Sequence, residues 1–211
     1  RIDCGDRRKE VRFIDQRTFG WVAIDALVEE NGVLIPESFG RIALDIFDPQ
    51  FNRAHVIAKI TKKKSAIKRV LLDQSVMSGV GNIYADEALW LARIHPERIA
   101  EKLSSGEAER ILDSVEKVMS EALQQGGTSF DDLYINVNGE SGYFDVELEA
   151  YGQEDEPCSR CGTQIRRITF GNRSSHFCPS CQPKKSLRRK VEVKKVRVKR
   201  GSKPSVRGAT R

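Results

Sequence analysis

Apolar and polar residues alternate near the start of the chain, with Val11 and Phe13 followed by Trp21, Val22 and Ile24. A period of two is that of a half-buried strand, and the polar run "CGDRRKE" reads as a hairpin turn, so residues 1–25 are predicted to form two or three strands. Residues 26–60 show neither period cleanly, and short helices with loops around Pro36 and Pro49 are expected. From Ser65 the spacing becomes helical: "SAIKRVLLDQ" sets Ile67, Val70 and Leu71 on one face. The following "SVMSGVGN" is too rich in glycine to continue a helix. A second helix is predicted over "NIYADEALWLARI", with Asn82 as N-cap and Asp86 and Glu87 near its positive end. The third is the clearest. Ser104 and Glu107 form a capping-box signature, and Ala108, Ile111, Leu112, Val115, Val118, Met119 and Ala122 make one apolar stripe that ends before Gly126-Gly127. That stripe is core packing. Residues 128–156 read as an acidic, glycine-bearing loop with a short extended segment in "GYFDVELEAYG". After Gln182 the chain is basic and poor in apolar residues, and disorder is expected there.

Length and charge narrow the classes. A chain of 211 residues suits one or two domains. No apolar run is long enough to span a bilayer, and the start "RIDCGDRRKE" has no signal-like stretch, so an intracellular protein is expected. The first residue is Arg1, which leads us to expect a processed product or a fragment. The net charge of +6 hides an asymmetry. Beyond Gln182 there are 13 Lys/Arg and one acid, which makes that tail +12 and leaves residues 1–182 at −6. Total charge therefore carries no argument for a nucleic-acid partner; the placement of basic residues in the body must.

Four of the five cysteines lie in "PCSRCGTQIRRITFGNRSSHFCPSCQ", as C-x2-C-x16-C-x2-C. Each CxxC makes a tight knuckle that aims two thiolates at one point, and two knuckles complete a tetrahedron. Cys158, Cys161, Cys178 and Cys181 are thus expected to hold one structural Zn2+. Two disulfides are the poorer reading without a secretory signal, and a redox CxxC lacks its βαβ context. Cys4 is left over as a free thiol. Between the pairs, "RRITF", "GN" and "SSHF" read as a hairpin carrying Arg166, Arg167 and Arg173, suited to phosphate contact or to a mere structural clip.

A second chemical signal is "SGVGNIYADEALW". Gly79 and Gly81 allow close backbone approach, and a helix opening at Asn82 presents free N–H groups to an anion. The basic run "KITKKKSAIKR" lies upstream. A bound phosphate backbone accounts for both features. So does an ordinary capped helix beside a solvated lysine face, and the residues alone leave the two even. His55, His95 and His176 have no catalytic partner in the pattern and read as structural or surface residues.

Taken in order, "KKKSAIK", "GVGNIYADEALW", "IHPER", "QGGTS", "GYF", "AYG" and the four-cysteine finger resemble the bacterial formamidopyrimidine-DNA glycosylase family over roughly residues 9–182. The resemblance implies an α+β fold: a remnant of an N-terminal β-sandwich with its linker (1–48), a helix–two-turn–helix domain with a lesion-covering loop (49–150), a β-hairpin zinc finger (151–182) and a basic tail (183–211). It implies a base-excision glycosylase and AP lyase acting on 8-oxoguanine and formamidopyrimidines in damaged double-stranded DNA, a monomer with no membrane partner, cytoplasmic and nucleoid-associated. Asn82 resembles the family's phosphate-binding asparagine. Lys63 and Lys64 resemble backbone contacts, and Lys68 a lysine near the lesion. Arg17 and Phe19 resemble the arginine and aromatic that enter the duplex where a base is extruded, which suits a planar cation and a ring; without the resemblance they read as a strand end with a buried ring. Arg173 resembles the finger arginine that contacts phosphate and acts in the final elimination. Residues 128–143 resemble the flap over the extruded base. The family's attacking group is an N-terminal proline amine beside a glutamate, and this chain starts at Arg1, so its catalytic segment is expected to be missing and the chain to be inactive or nearly so. A non-catalytic zinc-dependent DNA-binding protein, an endonuclease VIII-like glycosylase and a zinc-clipped structural protein are the alternatives.

Overall fold

The computed structural model describes residues 2–3, 10–11, 13, 20–30, 32–125 and 148–184. Its first elements are small antiparallel ribbons. β1 (Ile2–Asp3) pairs with β2 (Glu10–Val11), which flanks the predicted turn, while Trp21, Val22 and Ile24 lie outside any strand and are exposed. β3 (Leu27–Glu30) pairs with β4 (Val33–Pro36) about Gly32 at φ 79°. This hairpin replaces the short helices expected at the start of the 26–60 segment. A 3-10 turn, Glu37–Arg41, follows it.

The core is helical. α1 (Arg53–Lys62) begins at Asn52, whose side chain accepts from the His55 N–H at 2.9 Å. α2 (Ile67–Leu71) is shorter than its pattern suggested. Its first donors are filled from the "IHPER" segment: the N–H of Ile67 donates to Arg98 O at 2.7 Å and that of Lys68 to Pro96 O at 3.2 Å. α3 (Asn82–Ala92) ends at Arg93 in the left-handed conformation. α4 (Ser105–Gln124) starts with the predicted capping box, and its stripe of Ala108, Ile111, Leu112, Val115, Val118 and Ala122 is buried. Ile111, Leu112 and Val115 pack with Ile60, Ile67, Val70, Leu71, Met77 and Leu89, and Val118 and Ala122 with Leu148, at roughly 1.5–3 kcal/mol for each large side chain taken from water. On the surface, Arg53 of α1 meets Glu109, Asp113 and Glu116 on successive turns of α4.

The last ribbon is the hairpin of the cysteine segment. β5 (Arg166–Phe170) pairs with β6 (Arg173–Phe177), and the turn between them begins at Gly171, φ 61°. β6 lies against α3, and a separate small cluster of Trp90, Ala150, Cys158, Ile165 and Cys178 seals the contact. Among the described residues, no helix is long and apolar enough to cross a membrane.

Candidate functional site

The site is built on α3. Gly79 turns the chain at φ 85°, where an added Cβ would stand 3.1 Å from Met119 Cε, so a side chain is disfavoured by both backbone and space. Gly81, not Asn82, is the N-cap of α3, and no side chain caps its free N–H groups. A Cβ at Gly81 would meet nothing within 4 Å, so the mouth of the helix is open. Asn82 is the first helical residue, which corrects its predicted capping role. A cap needs an acceptor turned back on its own helix; here the Asn82 amide instead donates to Ser174 O on β6 at 3.3 Å, leaving its buried Oδ1 without a partner.

Lys62, the last residue of α1, and Lys64, just after it, are exposed, and Lys63 donates to Asp73 Oδ2 at 3.1 Å. Hydrogen bonds from Ser75 foremost, with Lys63 adding, hold the Asp73 carboxyl below its ordinary value. Lys68 is different: it is fully buried. Its ammonium donates to Asp86 Oδ1 at 2.7 Å and to Ser174 O at 2.8 Å, and it stands 5.6 Å from the centre of the Phe170 ring. Burial pushes its pKa down, against the pull of Asp86. Arg173 is exposed at the head of β6, one residue before the carbonyl that Lys68 and Asn82 share.

The next acid on α3 has another task. Glu87 accepts from three consecutive backbone N–H groups: Glu149 at 3.0 Å, Ala150 at 2.9 Å and Tyr151 at 2.7 Å. Burial raises its pKa, and those donors pull it back. Replacing Glu87 by Gln keeps one acceptor oxygen and turns an NH2 towards a remaining donor. Glu87→Gln is expected to cost about 1–3 kcal/mol in urea denaturation, and an unchanged midpoint would refute the role.

The four cysteine sulfurs lie within 4.8 Å of one another, with Cys161 Sγ 3.5 Å from Cys178 Sγ and from Cys181 Sγ. Four sulfurs at Zn–S bond length on a tetrahedron stand about 3.8 Å apart, so the cluster fits one closed structural zinc site. Burial first, then the neighbouring sulfurs, push the Cys181 thiol up to about 12, while hydrogen bonds from Thr163 foremost pull Cys161 down to about 6. Gly162, at φ 70°, turns the first knuckle, and its N–H donates to Cys158 O at 2.8 Å. Arg160 lies 3.3 Å over the Trp90 ring, and its guanidinium donates to Trp90 O. Gln182, fully buried, accepts from the Cys178 N–H and donates to Ile94 O, each at 2.9 Å, which bolts the end of the finger to the turn after α3.

Of the predicted site residues, the four cysteines come together, and Asn82, Lys68 and the strand of Arg173 meet at Ser174. Lys63 and Lys64 stay on the α1–α2 connection. Arg17, Phe19, Cys4 and the 128–143 loop lie outside the described residues. His55 is on the exposed side of α1, whereas His95 and His176 are buried, consistent with structural or surface roles. Sequence reading missed Asp86, Glu87, Ser175 and Gln182. One signal was available: both acids fall inside a helix whose neighbours, Ala85, Ala88 and Leu89, are apolar.

These features define a helix–two-turn–helix unit with a zinc finger seated on its third helix. Residues 42–133 match the formamidopyrimidine-DNA glycosylase H2TH domain, and residues 155–184 match the zinc finger found in FPG and IleRS. The chain is similar in sequence to bacterial formamidopyrimidine-DNA glycosylases. It is 56% identical over 183 residues to that of Rhodococcus jostii (strain RHA1), covering 87% of this chain and 62% of the relative. It thus spans about three fifths of the length of the curated relatives it matches. The crystal structure of the MutM (FPG) protein of Thermus thermophilus aligns with a TM-score of 0.66 at 33% identity, covering 71% of this chain and 59% of that one. A complex between the Lactococcus lactis Fpg and an abasic site containing DNA aligns with a TM-score of 0.64 at 34% identity, covering 72% and 58%.

Proposed function

We propose that the chain is the DNA-gripping part of a base-excision glycosylase and AP lyase that acts on oxidised purines, 8-oxoguanine and formamidopyrimidines, in duplex DNA on the bacterial chromosome. The observation that carries this reading is the convergence at Ser174. An uncapped helix N-terminus with an open mouth at Gly81 and an exposed arginine are tied to one carbonyl, so two phosphate-binding groups are held in fixed relation. Lys63 and Lys64 are assigned to contacts with the DNA backbone. Arg17 and Phe19 are assigned to the duplex at the extruded nucleotide, the 128–143 loop to the flap, and Arg173 to the elimination step.

The proposed division keeps residues 1–48 as part of a β-sandwich, 49–150 as the helix–two-turn–helix domain, 151–182 as the finger and 183–211 as a basic tail. The first assignment is supported by the β3–β4 hairpin, which leaves Leu27, Val28, Val33 and Leu34 exposed. An isolated two-stranded ribbon is marginal in water, so these side chains suit a larger sheet that covers them.

The test is a fluorescence-anisotropy titration of the zinc-loaded chain against a duplex with an abasic-site analogue. Asn82→Ala and Arg173→Ala are each expected to weaken binding about tenfold. Arg173→Ala should also flatten the plot of log affinity against log salt by about 0.9, the value of one phosphate contact. Wild-type affinity in both variants would sink the assignment.

A further inference from the structure

Beside the apolar contact of Phe177, whose ring centre lies 4.5 Å from that of His95, β6 is held to the helical domain by buried polar groups. Asp86 Oδ1 accepts from the Ser175 hydroxyl at 2.7 Å, and Asp86 Oδ2 accepts from the His176 N–H at 2.9 Å. The Lys68 ammonium, 2.7 Å from Asp86 Oδ1, donates to Ser174 O. Three consecutive residues, Ser174, Ser175 and His176, are therefore gripped from α2 and α3. The residue before them is Arg173, and Phe170, its cross-strand partner, lies over Lys68. Asp86 and Lys68 are each 0% exposed.

Such a contact is a poor glue and a good ruler. Taking a carboxylate and an ammonium out of water offsets much of their attraction, and well-packed apolar side chains bind as strongly. What the ionic pair adds is direction: a strand shifted by one residue would place an outward side chain on Asp86 and strand both charges. We propose that Asp86, with Lys68, is the positioning residue for Arg173, fixing β6 on α3 so that the guanidinium stands beside the open N-terminus of the helix. Asp86 touches no substrate; it acts through the strand. The inference rests on the reading of Arg173 as a phosphate contact.

The experiment is a double-mutant cycle on the zinc-loaded chain, with abasic-analogue duplex and a salt series. Asp86→Asn removes the charge and one acceptor, and Ser175→Ala removes a single hydrogen bond while leaving the ion pair. Asp86→Asn is expected to weaken binding about tenfold and to lower the salt slope by about 0.9, as Arg173→Ala does. Ser175→Ala is expected to weaken it about threefold. In the Arg173→Ala background neither change should weaken binding further, with zinc still at one per chain. A purely structural role predicts the opposite: the losses persist without Arg173, and that result overturns the proposal. So does wild-type affinity and slope in both single variants. Where Asp86→Asn does not fold, Ser175→Ala decides alone by the same comparison. An Arg173→Ala variant that keeps the wild-type slope overturns the reading beneath the proposal, and the proposal with it; it is told apart because it shows in that single variant.

Discussion

Removing zinc from the protein is expected to unfold residues 157–182 and to abolish the proposed duplex binding, while α1, α2 and α4 keep their helical signal. The finger has little core of its own: Cys158, Cys178 and Ile165 pack on Trp90 and Ala150, and the metal closes the two knuckles. In small modules of this kind metal binding is folding free energy, with apparent values on the order of 10–16 kcal/mol, more than this interface replaces. The larger cluster around Ile60, Leu89, Ile111 and Leu112 does not include the finger, so it survives. Trp90 reports the event, because it is buried under Arg160 in the docked state and is freed when the finger opens, whereas Trp21 is already exposed. A chelator titration followed by tryptophan fluorescence, circular dichroism and hydrogen exchange checks this. A metal-free protein whose 157–182 amides stay protected would contradict it.

On the proposed function, the 211-residue polypeptide is expected to bind an 8-oxoguanine duplex and to leave the base in place. Excision by a glycosylase/lyase route needs an unprotonated amine at the sugar. Lys68 is the described lysine whose pKa burial lowers, but the same burial seals it beneath β6 with its ammonium paired to Asp86. An ordinary exposed lysine, with a pKa of about 10.4, is almost wholly protonated at neutral pH and traps an aldehyde slowly. Arg173 has no nucleophilic amine. The proposed binding, by contrast, would use groups that are in place: the α3 N-terminus, the Lys62–Lys64 run and the finger arginine. Borohydride trapping on an 8-oxoguanine duplex is therefore expected to give no covalent product above background at protein concentrations that saturate a gel shift. Efficient trapping and strand cleavage would mean that an amine within residues 1–211 reaches the sugar.

The parts legible in the sequence were those whose signals are local. The zinc ligands announce themselves because a knuckle needs only two residues between cysteines, and α4 because its cap and its stripe both lie within its own length. The β3–β4 hairpin was missed although Asn31-Gly32 is a strong turn signal. Leu27-Val28 followed by Glu29-Glu30 breaks the period of two, and the exposed faces of that ribbon give it no reason to alternate. Asn82 was misplaced by one position because its residue type suits a cap, whereas its amide is drawn to Ser174, 92 residues away. Asp86 and Glu87 looked like ordinary acids placed for the helix dipole. Their partners lie 89 and 63 residues along the chain, at Ser175 and Ala150, and no window on the sequence joins them. Lys68 sat in a basic run and read as a DNA contact. The structure turns it inward, where it serves Asp86 and β6 and offers no surface to a partner.

The central claim is that α3 and the finger grip one duplex together. The most direct measurement is the salt dependence of binding by the zinc-loaded wild-type chain to an abasic-analogue duplex, compared with the Asn82→Ala/Arg173→Ala double variant. The account predicts binding at low salt that weakens steeply between 50 and 200 mM, roughly 0.9 log units of affinity per log unit of salt for each phosphate contacted, with a clearly shallower slope in the double variant. A wild-type chain that does not bind at low salt with its zinc in place, or one whose slope is unchanged by losing both residues, would contradict it.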